Sequence, residues 1–165
     1  MKETNEFFTW AKSNNWRLEL STDKKQFPSE ILQRYINIPN DYKIFYEQID
    51  LCVGPIGTSW FLTEQDFSAI DTEGGISTTF AWNSIEKMSL ESVADDEKLI
   101  QEVDDFWKLH LPIMYCVDGD YEYFAINISN GAVVNGYEPE FEEATEVAKS
   151  FSDFLDKIIK GKIVV

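Results

Sequence analysis

Residues Met114 to Val134 read MYCVDGDYEYFAINISNGAVV. Asp118, Asp120 and Glu122 stand at alternate positions, between runs of aromatic and branched apolar residues. Carboxylates so spaced suit either a metal loop or a turn between two strands. An EF-hand loop starting at Asp118 needs glycine at its sixth position and glutamate at its twelfth. Those positions hold Tyr123 and Ser129, which excludes it. The runs PIMYCV, YEYFAINI and AVVNGY are rich in strand-forming residues, and DGD and SNG between them are strong reverse-turn signals. The stretch therefore predicts an antiparallel meander with no metal at Asp118, Asp120 and Glu122.

Outward from the meander the period changes. Ala144, Val147, Ala148, Phe151, Phe154, Leu155, Ile158 and Ile159 keep helical spacing, which predicts a helix from Ala144 to Lys160. Lys157 and Lys160 suit its C-terminal dipole, and Gly161 suits its cap. Upstream, Asp95, Asp96 and Glu97 open a helix that carries Leu99, Ile100, Val103, Phe106 and Trp107 on one face and stops before Pro112. Between Phe80 and Leu90 the pattern fits strand and helix equally. DTEGGIS, residues 71–77, reads as a polar loop, and VGPIGTSWFL as strand broken by turns. Thr63 with Asp66 caps a brief helix through EQDFSAI.

Nearer the start, FFTWA opens a short amphipathic helix, and Pro28 with Ser29 introduces a second through EILQRYIN. Pro39 suits the first turn of a third, NDYKIFYEQI, in which Tyr42, Phe45, Tyr46 and Ile49 form one buried stripe. The chain has 165 residues, 44% of them hydrophobic and 15% aromatic, which is too apolar for a disordered tail. One α+β domain over residues 1–165 is expected, with a central, mostly antiparallel sheet flanked by helices.

Charge narrows the partners. Lys plus Arg number 14 against 30 Asp plus Glu, a formal net charge of -16. That field repels nucleic acid and anionic membranes and attracts basic proteins, although acidity also serves solubility alone. Neither a signal peptide nor a membrane span is legible, and Cys52 and Cys116 lie far apart in apolar runs. Buried, reduced thiols in a cytoplasmic protein are the expectation. The oligomeric state is not legible.

Catalytic patterns fail one by one. His110 is the one histidine, beside a helix end and without a nucleophile motif, so it reads as structural. One His and two separated Cys do not make a zinc site. GPIG lacks the Lys and Ser/Thr of a phosphate loop. No catalytic residue, cofactor site or metal site is expected, and the chain does not read as an enzyme.

The segment EILQRYINIPNDYKIFYEQID resembles the hallmark of the SUKH superfamily of Smi1/Knr4-like domains, where a short helix leads into a Leu-Pro-Glu-Asp-Tyr-like helix start. Ile38, Pro39, Asp41, Tyr42 and Phe45 match it. Asp118 and Gly119 take the place of the family's Asp-Gly turn, WFL and the meander resemble its central strands, and SFSDFLDKII resembles its closing helix. The likeness runs from about Ser29 to Ile159. Where the family usually has Asn-Gly after the Leu-Pro helix, this chain reads IDLCVG, and the stretch from Gly74 to Lys98 has no counterpart. The resemblance implies an α+β, non-enzymatic protein-binding module. Bacterial members are mostly regarded as immunity proteins that neutralise a cognate toxin, often a nuclease; a fungal relative acts in cell-wall synthesis and signalling. An immunity protein is therefore the first expectation and a regulatory scaffold with an endogenous partner the alternative. Asp118, Asp120, Tyr121 and Glu122 form one candidate contact cluster for a basic partner, and Tyr137, Glu138, Glu140, Glu142 and Glu143 form another.

Overall fold

Strands β4 (His110–Asp118) and β5 (Asp120–Asn127) are joined through Gly119, whose φ of +90° lies in the region that favours glycine. A computed structural model describes residues 2–68 and 80–165 of the chain. Tyr115 pairs with Tyr123 and Val117 with Tyr121 across this hairpin. The hairpin sits inside a seven-stranded antiparallel sheet whose strands lie side by side in chain order. The others are β1 (Arg17–Leu20), β2 (Ile49–Val53), β3 (Ser59–Phe61), β6 (Val133–Tyr137) and β7 (Thr145–Ala148). The predicted meander is present and continues on both sides. Pro112 lies inside β4, where it removes a ladder donor, and the β4–β5 register shifts between Pro112 and Met114.

Successive residues of a strand face opposite ways, and both faces here are aromatic. Phe61, Met114 and Phe124 share one face, under the helices α1 (Lys2–Ser13), α3 (Asn40–Tyr46) and α7 (Phe151–Ile159). The Phe61 ring lies 4.8 Å from Phe45, 5.6 Å from Phe7 and 6.3 Å from Phe154, between centroids. Tyr115 and Tyr123 face the other way, toward α5 (Ser84–Ser92) and α6 (Glu97–Leu109). There Trp107 lies 4.8 Å from Tyr123, and the Tyr115 hydroxyl donates to the Trp82 carbonyl. Helix α2 (Ser29–Arg34) joins this layer: Tyr35 Oη donates to Trp107 O at 2.9 Å and Arg34 pairs with Glu86 at 2.7 Å. Helix α4 (Glu64–Ser68) opens as expected, with the backbone N–H and hydroxyl of Thr63 both donating to Asp66.

The helix expected from Ala144 to Lys160 is instead two elements. Residues Thr145–Ala148 form β7, and α7 begins only at Phe151, where the Ser150 hydroxyl accepts from Asp153 N. Thr145 and Val147 are branched at Cβ and favour strand. Pairing with β6 gives their backbone a ladder that a longer helix would leave unmade. The third helix ends at Tyr46, so Ile49 of the expected stripe lies in β2. Pro28 introduces α2 as expected, whereas Pro39 stands at the cap of α3 and not in its first turn. The ambiguous Phe80–Leu90 stretch contains most of α5. In α6 the buried residues are Val103 and Trp107, whereas Leu99 is exposed. The polar loop expected over 71–77 lies outside the described residues.

Because Phe61 is fully enclosed by rings from three helices, Phe61→Ala is expected to cost about 3–5 kcal/mol in unfolding free energy. Denaturant unfolding checks it; a loss under about 1 kcal/mol would mean these rings do not form the core.

Candidate functional site

Antiparallel pairing carries the far end of β6 back beside the β4–β5 turn, since Glu122 is paired with Tyr137. The ladder then runs one step further. Glu138 N donates to Tyr121 O, and Tyr121 N donates to Glu138 Oε1, both at 2.9 Å. The two acidic clusters, separate in the sequence, thus become one end of the sheet. Asp118, Asp120, Glu140 and Glu143 are exposed there, and Tyr137 presents a ring that is 62% exposed.

The remaining predicted residues are occupied with holding this end together. Glu142 is half-buried; its Oε1 accepts from Trp107 Nε1 at 2.7 Å and from Ser89 Oγ at 2.6 Å, which pins the β6–β7 connection to α6 and α5. Glu122 accepts from Asn135 Nδ2 at 2.8 Å across the strand pair. Tyr121 is half-buried with its ring 5.6 Å from Phe80. On the other side of the connection, Tyr123 Oη donates to Phe141 O, and burial pushes its phenol well above the ordinary range. Gly136 makes that contact possible: a Cβ there would stand 2.5 Å from the Tyr123 oxygen.

Ser89, Tyr123 and Asn135 were not picked out from the sequence, and Trp107 was read only as part of the apolar face of its helix. One signal was available, because a buried indole N–H requires an acceptor and a Trp in a helix core must find one outside its own helix.

Among the described residues, no group of three His, Cys, Asp or Glu side chains is placed to hold a metal ion. His110 begins β4, at the opposite end of that strand from Asp118, about 27 Å away at the usual rise per residue. Its Nδ1 donates to Phe106 O at 2.7 Å, its ring stacks on Phe106, and burial lowers its pKa, which favours the neutral imidazole. Cys52 and Cys116 are free and buried, and burial pushes the Cys116 thiol up to about 12, far from a reactive thiolate. An apolar cleft of about 270 Å³ between α1, Pro55 and the last residues is lined by Trp10, Trp16, Ile158 and Ile163 and gathers no acid or base. No described helix is long and apolar enough to cross a membrane.

A family model matches residues 29–157, from the start of α2 into α7. The chain belongs to the SMI1 / KNR4 family (SUKH-1). No curated protein and no solved structure matches it significantly. The SMI1/KNR4 match takes in both acidic segments and every strand but β1, while α1 and β1 lie before it.

Replacing Glu142 by Ala leaves Trp107 Nε1 and Ser89 Oγ without their acceptor. A stability loss of about 1–3 kcal/mol is expected, with faster amide exchange confined to residues 138–143. Hydrogen exchange checks it, and unchanged protection over 138–143 would show that the carboxylate does not hold this connection.

Proposed function

We propose that this SMI1/KNR4-family chain is a non-enzymatic, acidic protein-binding module, an immunity protein that docks on and neutralises a basic toxin domain, such as a nuclease, in the cytoplasm. The observation that carries this reading is the convergence of two acidic segments around exposed Tyr137 at one end of the sheet. In this reading Asp118, Asp120, Tyr137, Glu140 and Glu143 touch the partner. Tyr121, Glu122, Glu138 and Glu142 hold the shape that presents them.

The division of labour follows from range. At physiological salt a surface charge acts over about 8 Å, so the acids raise the rate of encounter and set orientation. The ring of Tyr137 buries area only once the partner has arrived, and so governs departure. The internal acceptors keep the end rigid, which lowers the ordering cost of association.

The test uses a toxin domain encoded beside this chain's gene, with kinetics at two salt concentrations. Neutralising Asp118, Asp120, Glu140 and Glu143 together should slow association about tenfold or more at low salt and leave dissociation nearly unchanged. Tyr137→Ala should instead speed dissociation. The same variants should weaken protection of cells that express the toxin. Association indifferent to both salt and these acids would reduce the charge to a solubility device. An endogenous partner at a locus with no toxin gene would favour a regulatory scaffold.

A further inference from the structure

On the sheet face that carries Tyr115 and Tyr123, alternation brings Val117 and Tyr121 to the surface near the acidic end, with Trp60 beside them on β3. All three are half-buried. Phe80, half-buried too, lies across them: its ring centroid is 5.8 Å from Trp60, 5.6 Å from Tyr121 and 6.0 Å from Tyr115. Trp60 and Tyr121 thus flank one ring from the strands on either side of β4. Deeper on this face the polar atoms of the rings are bonded inside, Trp107 Nε1 to Glu142 and Tyr123 Oη to Phe141 O. Trp60 Nε1 and Tyr121 Oη, by contrast, donate to no described residue. Half-buried Glu138 borders the rings, its Oε1 accepting from Tyr121 N. Arg17 stands on β1, two strands from Trp60 and about 10 Å away by strand spacing, with its guanidinium beside Gly57 in the β2–β3 turn.

We infer that Trp60, Phe80 and Tyr121, with the Glu138 carboxylate at their edge, receive an arginine side chain of the protein that this chain binds. The inference rests on the reading under "Proposed function" that the partner is basic, and it names the group that the partner inserts. Charge and ring chemistry together select that group. An anion is repelled by Glu138 and by a net charge of -16. An aliphatic side chain covers the rings but strips water from Glu138 and returns no hydrogen bond. A cation over the rings gains from their negative faces and pairs with the carboxylate. Arginine suits the place better than lysine. Its planar guanidinium stacks on an aromatic face, holds water less tightly, and keeps N–H groups in its plane for Glu138. Tyr121 therefore serves twice: its backbone closes the acidic end, and its ring forms one wall of the seat.

Labelled oligoarginine and oligolysine peptides of equal length, titrated with the full chain and followed by fluorescence anisotropy, separate the rings from the charge. Both peptides carry the same charge, so the acidic end attracts them alike. Wild-type protein is expected to bind oligoarginine about three- to tenfold more tightly. Added salt should weaken both peptides while the preference persists. Trp60→Leu or Tyr121→Leu should erase the preference and leave oligolysine binding nearly unchanged; a retained melting transition shows that each variant folds. Glu140→Gln with Glu143→Gln should weaken both peptides equally and keep the preference. Equal binding of the two peptides by wild-type protein overturns the inference, and so does a preference that survives both ring variants. No toxin enters this test, so an arginine preference stands even where the immunity reading fails. A salt-sensitive toxin complex that is indifferent to Trp60→Leu and Tyr121→Leu would remove the arginine seat and leave that reading intact.

Discussion

The β4–β5 hairpin turns on one residue, Gly119, and its register decides which side chains reach which layer. With Asp118 opposite Asp120, Met114 and Phe124 fall on the phenylalanine face and Tyr115 and Tyr123 on the tyrosine–tryptophan face. A slip by one residue would exchange the faces. The hydroxyls that now donate to Trp82 O and Phe141 O would then be driven into the cluster of Phe7, Phe45, Phe61 and Phe154, which offers no acceptor from its rings. Tyr42 and Tyr46 of α3 are buried on the phenylalanine side as well, but Tyr115 and Tyr123 find their acceptors in the observed register, and those two hydrogen bonds favour it.

The same register places the acids. Because Glu122 lies opposite Tyr137, the β6–β7 connection emerges beside the turn, and its buried residues anchor it from below through Tyr123, Trp107 and Ser89. Gathering carboxylates on one end is unfavourable in itself. It is tolerated because Glu122, Glu138 and Glu142 accept hydrogen bonds from Asn135, Tyr121 N, Trp107 and Ser89, while the remaining acids stay in water.

Much of this was legible before any coordinate. DGD and SNG mark turns because glycine and asparagine accept angles that other residues avoid, and Gly119 and Gly131 take positive φ as those motifs demand. The capped starts at Asp96 and Thr63, and the C-terminal cap at Gly161, were readable for the same local reason. What failed was tertiary. Ala144, Val147 and Ala148 fit helical spacing by coincidence, and only β6's need for a partner shows them to be strand. Likewise nothing local tells that Tyr121 and Glu138 exchange hydrogen bonds, or that Glu142 faces inward while Glu143 faces water. Each acid was visible as an acid; its use was set by long-range contacts.

The claim most in need of a direct measurement is that the turn and the β6–β7 connection form one electrostatic surface. Titrating the isotope-labelled chain with a short oligolysine peptide, and following backbone amides by NMR, measures this without a cognate partner. The account predicts that amides of residues 118–122 and 137–143 shift together, with one midpoint, and that the acid-rich helix α6 responds more weakly. Shifts spread evenly over all acidic segments, or two clusters titrating with separate midpoints, would contradict it.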